Sequence, residues 1–266
     1  MRDIFTSKRW RRAVMALPII VILSACLFDE SNAQTKSKLQ VTASYVFKDK
    51  GSAVVRLAEA AARGDRQAVA KLVQQGADVN ALGDLDTSVL QWAFWNQSID
   101  GMQALLKAGA DPALIDNKGM TVMHYAAAID DPSLLQGLLD AGVSTEVRDP
   151  KGQTPLHEAI WNRREPQLRI LLGAGADPNA QAITGEGMLE TGSRPLHLAA
   201  SLNDVKGILA LLEAGADPRA LNGRGRTFQS YLNTMDESIA TDSFVAGKRK
   251  IEAWLVKHGV ELERKP

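Results

Sequence analysis

The sequence predicts an all-α solenoid of about six helix–turn–helix units joined by hairpin loops, and three recurrences predict it. A Gly-Ala-Asp string occurs at 76–78, 109–111, 175–177 and 215–217, with weaker copies at Gly142-Val143-Ser144 and Gly259-Val260-Glu261. The leading glycines are 33, 33, 33, 40 and 44 residues apart. Four residues before each of them an apolar doublet begins: Leu72-Val73, Leu105-Leu106, Leu138-Leu139, Leu171-Leu172, Leu211-Leu212 and Leu255-Val256. A second motif begins 21 residues before most of the glycines. Its best copies are Thr154-Pro155-Leu156-His157 and Arg194-Pro195-Leu196-His197, with Thr121-Val122-Met123-His124 close behind. A fixed period shared by several motifs marks a repeat architecture, in which each unit is one supersecondary element.

Each part of the unit has a physical reason. Threonine at the helix entrance caps free backbone N–H groups, and the proline beside it suits a first turn that has no donor to lose. Leu and then Ala-Ala (Ala126-Ala127, Ala199-Ala200) make a narrow first helix that neighbours approach closely. The apolar doublet is expected to form the core face of the second helix. The glycine ends that helix at positive φ, and the Asp-x-Asn or Asp-Pro that follows is turn chemistry.

The period of 33 and the Thr-Pro-Leu-His string resemble the ankyrin repeat, over about residues 52–262. The resemblance implies helix pairs with hairpin loops stacked in one array, in units 52–83, 84–115, 116–148, 149–181, 182–220 and 221–262. The first unit lacks the Thr and His, which suits a cap. The fifth carries seven extra residues near Thr184–Gly192, and the sixth carries eleven around Asp236–Asp242, between its two helices. A last helix at about 247–258 is expected to close the stack with Trp254 and Leu255 inward; residues 263–266 are a tail.

The N-terminus reads as an address. Residues 1–12 are basic and 13–25 are apolar, the pattern of a secretory signal peptide; the apolar run is short of the about 20 residues of a spanning helix. Leu23-Ser24-Ala25-Cys26 resembles a bacterial lipobox, which implies cleavage before Cys26 and acylation of its thiol. Cys26 is the one cysteine of the chain. Leu27 follows it where inner-membrane retention would require Asp, so the resemblance implies an outer-membrane lipoprotein facing the periplasm and held there by its lipid anchor. Ser31-Asn32-Ala33 is the alternative, with release of a soluble periplasmic protein. Residues 26–51 read as a tether, in which Val41–Phe47 is a candidate to dock on the first unit.

Composition bounds the function. The 266 residues are 45% hydrophobic and 23% charged, with zero formal net charge. Without residues 1–25 the chain holds 26 bases and 30 acids, a net charge of −4, which argues against nucleic-acid binding. No nucleophile elbow, Walker loop, zinc motif or EF-hand loop is present, so neither an enzyme nor a cofactor or small-molecule substrate is expected. His124, His157 and His197 share one position of the motif, where the resemblance implies that they hydrogen-bond the turn, and units stack too far apart for the three to meet on one ion. His258, before Gly259, is expected as a cation at a helix C-terminus.

A protein partner is expected at the exposed end of the first helices and at the loop tips. The Trp-Asn pair recurs at Trp95-Asn96 and Trp161-Asn162, 66 residues apart, and exposed Trp is enriched in binding hot spots. Arg163 and Arg164 extend the second patch. Asp84, Asn117, Lys118, Lys151, Arg224 and Arg226 add loop tips, whereas Trp92 and Tyr125 are expected in the core. Ankyrin lipoproteins of this kind resemble immunity proteins that accompany type VI secretion phospholipase effectors, which implies an inhibitor of a secreted lipase. A periplasmic helper of an oxidative-defence enzyme or envelope complex is the alternative. A third reading, an effector delivered into a host cell, runs against the lipobox.

Overall fold

The protein is described here as a computed structural model of residues 41–183, 190–234 and 241–263. These residues form thirteen α-helices, a 3-10 turn at Asp84–Asp86 and one isolated antiparallel bridge, Leu82–Ser88. A one-turn helix, α1 (Ala43–Val46), precedes six helix pairs. The pairs are α2 (Ser52–Ala62) with α3 (Arg66–Gln74), α4 (Val89–Trp95) with α5 (Ile99–Lys107), and α6 (Val122–Ala128) with α7 (Pro132–Asp140). They continue as α8 (Pro155–Trp161) with α9 (Glu165–Gly173), α10 (Pro195–Ser201) with α11 (Val205–Glu213), and α12 (Phe228–Leu232) with α13 (Asp242–Lys257). First helices pack on first helices and second on second along the whole row, so the fold is the ankyrin solenoid.

Local chemistry sets the ends of the helices. Asp65, Ser98, Asp131 and Asp204 accept backbone N–H groups at the starts of α3, α5, α7 and α11. The repeating glycine is left-handed in every unit, with φ from 66° to 93° at Gly76, Gly109, Gly142, Gly175, Gly215 and Gly259. That conformation costs glycine little and other residues more. α13 begins at Asp242, earlier than the expected 247, because the Thr241 hydroxyl accepts the Phe244 N–H and caps it there.

The core is a single spine, and it corrects one expectation. The first residue of each doublet is buried (Leu72, Leu105, Leu138, Leu171, Leu211 and Leu255), and only in the fifth unit is the second, Leu212, buried with it. The second is only partly covered in most units (Val73, Leu106, Leu139 and Leu172), and Val256 is 62% exposed at the end of the stack. A helix nine residues long turns a narrow side to its neighbours, so one leucine of two fits the seam. Trp254 is likewise half-buried, stacked on His258 at 3.8 Å between centroids, while Leu255 points inward.

A polar ladder runs beside the spine. The Thr121 N–H reaches His124 Nδ1 at 3.4 Å and the Thr121 hydroxyl lies 2.8 Å from the same nitrogen, while Nε2 reaches the Gln153 carbonyl of the next unit at 3.1 Å. A ring that donates from Nε2 to a carbonyl and accepts at Nδ1 is the neutral tautomer, and burial keeps it so by lowering its pKa. Gln91 to Met120, His197 to Arg226 and Gln229 to Glu261 repeat this rung at 3.0 Å each. His157 breaks the series. Its Nδ1 accepts the Thr154 N–H at 3.1 Å, but Nε2 is buried without a partner. The next unit is the one with seven extra residues; its Ser193 carbonyl accepts the Ala182 N–H at 2.9 Å, as the equivalent carbonyls accept a hairpin N–H, but it receives no bond from His157. Burial then pushes the His157 pKa down to about 3.

Both ends of the row are closed. α1 seats fully buried Phe47 edge-on against Trp92, at 6.2 Å between centroids, with Lys48 beside Asp84 at 3.6 Å. Gly83 admits this contact, since a Cβ there would lie 2.6 Å from the Val46 carbonyl. Residues 43–47 are therefore not free tether: an apolar side chain that faces the first helices loses less by docking than by staying in water. At the other end Gln229 Nε2 donates to Glu261 O and its Oε1 accepts the Glu263 N–H at 3.2 Å. Residues 261–263 thus stand where a seventh hairpin would. The segment 1–25 expected as a signal peptide, Cys26 and the expected tether up to residue 40 lie outside the described residues, as do 184–189, 235–240 and 264–266.

Leu138→Asp is expected to abolish the cooperative unfolding transition, because it puts a charge into the seam. Val256→Asp, at the exposed partner of the last doublet, is expected to shift stability by no more than about 0.5 kcal/mol. Urea unfolding followed by circular dichroism checks both.

Candidate partner-binding face

The first helices carry two series of equivalent positions on the side turned away from the second helices. The first series is Trp92, Tyr125, Glu158, Leu198 and Tyr231, and the second, one turn on, is Trp95, Ala128, Trp161 and Ser201. Residues three apart on a helix share a face, so each unit contributes one residue of each series to a continuous strip.

The two tryptophans of the Trp-Asn pairs have different surroundings. Trp95 is half-buried, 4.9 Å from the Phe94 ring and 4.7 Å from that of Tyr125. These three rings fill a joint at which α4 and α6 approach less closely than other first helices do. Trp161 is 43% exposed. The asparagines end their helices: Asn96 Nδ2 donates to the Trp92 carbonyl at 2.8 Å, and Asn162 Nδ2 to the Glu158 carbonyl at 2.9 Å. The recurrence of Trp-Asn thus records a helix end in both units and an open aromatic surface in one of them.

The basic candidates are tied into the scaffold. Arg163 is left-handed, with φ of 55° where the first unit has Gly64, and its guanidinium donates to the Leu202 carbonyl at 2.5 Å. Arg164 replaces the usual acidic or hydroxyl cap of a second helix and turns back to the preceding unit, donating to Ala128 O at 2.8 Å and pairing with Asp130. It and buried Gln167, whose Nε2 donates to Ile129 O at 2.6 Å, hold an atypical turn in which Ile129 is extended. Arg224 pairs with Glu190 at 2.8 Å, and the same carboxylate accepts from Asn222 and Tyr231 at 2.7 and 2.9 Å.

The remaining loop tips are exposed or nearly so. The Asn117 N–H donates to Leu85 O at 3.1 Å, joining two hairpin tips, and Lys118 Nζ sits 5.9 Å from the centre of the Tyr125 ring. The Lys151 N–H donates to Asp149 Oδ1 at 2.9 Å, and its carbonyl accepts from Ile183 N at 2.8 Å.

Glu158 is the member of the strip that motif reading passed over. In the third unit the hairpin carboxylate Asp116 accepts the phenol of Tyr125, and in the sixth Asn222 donates to the phenol of Tyr231 at 2.8 Å. The fourth unit puts Asp149 and Glu158 at those two positions, so two carboxyls face each other where a donor and an acceptor belong. Partial burial first, and Asp149 second, push the Glu158 carboxyl up to about 7, against the pull of Asn162 and Lys151. Asn162 Nδ2 lies 3.2 Å from Glu158 Oε2, and no ion pair of the described residues includes Glu158. Aligning the unit's ninth position after the hairpin carboxylate would have exposed this exception in the sequence.

The comparisons agree on the repeat. A family profile for ankyrin repeats in three copies matches residues 90–182, and one for a single ankyrin repeat matches residues 191–223. The structure is similar to the crystal structure of the ankyrin repeat domain of Bcl-3, described as a unique member of the IkappaB protein family. That likeness has a TM-score of 0.63 and 26% sequence identity, and it covers 77% of this chain and 86% of the other. No curated protein matches the sequence.

Trp95→Ala is expected to lower stability by about 2–3 kcal/mol, since a packed ring is lost, whereas Trp161→Ala is expected to leave it within about 0.5 kcal/mol; thermal unfolding of the two variants distinguishes them. Glu158→Gln is expected to stabilise the array at pH 8 by on the order of 2 kcal/mol and hardly at pH 4. Between the ordinary carboxyl value of 4.5 and about 7 the folded state keeps a proton that the unfolded state has released, so this group makes stability fall as pH rises. Equal stabilisation at both pH values would show that the carboxylate charge carries no cost there.

Proposed function

We propose that this chain, which carries ankyrin repeats and folds as an ankyrin array, is an envelope-anchored binding protein that holds one specific protein partner and thereby neutralises it. Ankyrin-repeat proteins are typically binding scaffolds without enzymatic activity, and the repeats themselves indicate a protein partner. The observation that carries the reading here is Trp161, an exposed aromatic on a rigid first helix where the equivalent position elsewhere is packed or small. α1 already covers the strip at Trp92, so the partner's footprint belongs to the third to fifth units. A footprint of about 800 Å² per partner is enough for a stable complex.

The finer reading is an immunity protein against a secreted lipase-type effector. Its support is the lipobox-like string at the only cysteine, Cys26, together with the family resemblance. An inhibitor tethered to the membrane stands where an incoming lipase reaches its substrate, and blocking that entrance asks for shape and not for chemistry. Two acyl chains, at about 0.8 kcal/mol per buried CH₂, are a sufficient anchor.

Pull-down from envelope extract with mass spectrometry, followed by a phospholipase assay of the captured protein with and without the array, tests the reading. Recovery of a lipase whose activity the array suppresses supports it. Recovery of an oxidative-defence enzyme, active in the complex, would replace it with the helper role. Cys26→Ser is expected to abolish incorporation of labelled palmitate and release the protein from membranes; unchanged release would remove the anchor and leave the binding role standing.

A further inference from the structure

We propose that the strip between Tyr125 and Trp161 receives an arginine or lysine side chain of the protein partner, with the Glu158 carboxylate as its acceptor and the Trp161 ring as its lid; this rests on the binding role proposed above. Charge complementarity carries it. Half-buried Glu158 has the hairpin carboxyl of Asp149 acting on it, and none of the described ion pairs includes Glu158. A half-buried carboxylate without a cation is costly to keep, and it is retained only in the unit with the exposed tryptophan. Asn162 holds the carboxyl through Oε2 at 3.2 Å, so it is fixed in place before any partner arrives.

The surroundings select a cation and not an anion. Trp161 lies three residues on from Glu158, one turn along the same face, and is exposed. The face of an indole attracts an ammonium or guanidinium group, most strongly when water is excluded. Tyr125 flanks Glu158 on α6 with its phenol turned to Asp116 and its ring buried against Trp95, which closes that side of the strip. Leu198 occupies the same position on α10 and is buried, so that side brings no competing charge to Glu158. Lys151 is the one described base that acts on Glu158, and its contribution is the smallest of the four influences on that carboxyl. Arg163, the next base along the strip, is committed to the Leu202 carbonyl. A planar guanidinium satisfies both carboxylate oxygens at once, which makes arginine the better occupant of the two.

The test uses the full chain and a random dodecapeptide library displayed on phage. Peptides enriched on the wild-type array and displaced by Trp161→Ala are expected to share an Arg or Lys at one position. Replacing that residue by Ala is expected to weaken binding at least tenfold on the wild type. Glu158→Gln is expected to cause the same loss, with no further loss when both changes are combined. Glu158→Lys, selected in parallel, is expected to enrich acidic peptides instead. Enriched peptides that depend on Trp161 but bind Glu158→Gln and wild type alike would overturn the acceptor and leave the binding face intact. Peptides indifferent to Trp161→Ala, or no enrichment at all, would overturn the face as well. Melting curves of each variant exclude loss of fold as the cause.

Discussion

No helix pair in this chain can bury its own apolar side, and every other feature follows from that deficit. A first helix of seven residues and a second of nine leave one leucine per pair that must find its cover in the next pair. Stability of such an array is close to a sum of unit and joint contributions, so each joint has to be satisfied on its own. The leucine seam supplies the apolar part. The ladder of Gln91, His124, His197 and Gln229 supplies the polar part by giving the hairpin carbonyl at four of the joints a donor from the unit before it. The ends are the places where an array of this kind would expose both. Phe47 packs over the joint of the first two units at the one end, and residues 261–263 take the next hairpin's place at the other.

The repeat itself was legible because backbone requirements leave fixed signs. A glycine at positive φ and an entrance like Thr-Pro-Leu-His recur at offsets that hold through most of the units. Those signs located six helix pairs and placed the histidines in their turns. What escaped is tertiary. A doublet of two leucines looks symmetrical in sequence, and only the packing of short helices selects the first as the buried one. Segment 41–47 has no repeat signature, since its fit depends on Gly83 and Trp92, 36 and more residues away. The Trp-Asn recurrence was a true signal of the helix end that Asn makes, but whether the tryptophan stands in solvent depends on the neighbouring unit. Tyr125 beside Trp95 closes the space; nothing of that size stands beside Trp161 at its own level, where Ala128 and Ser201 are the equivalents.

Departures from the repeat's local rules gather at the fourth unit. Its second helix has an arginine at the capping position and no side-chain cap. Its histidine lacks the rung that its counterparts have. Its hairpin carboxylate meets a second carboxylate where the third and sixth units have a phenol. Each costs stability, and none is needed for stacking, because neighbouring units manage without them. Sequences that agree with their fold at every level give way to conflict mainly where a site requires it.

That concentration bears on where the partner sits more directly than exposure alone does. Leu85, Ile115, Ile183 and Leu221 are also exposed apolar residues, but they lie on hairpins one at a time, and scattered surface leucines are normal in soluble proteins. Trp161 shares its helix with Glu158 and Asn162, on a rigid element whose position is fixed by packing to both sides. A binding residue held by such an element is already in its bound place, so association spends little on ordering it. The same rigidity explains why the strained turn at Arg163 can persist. Its guanidinium is anchored on the Leu202 carbonyl of the following unit, so relaxing the turn would also cost the joint that holds the fourth and fifth units in register.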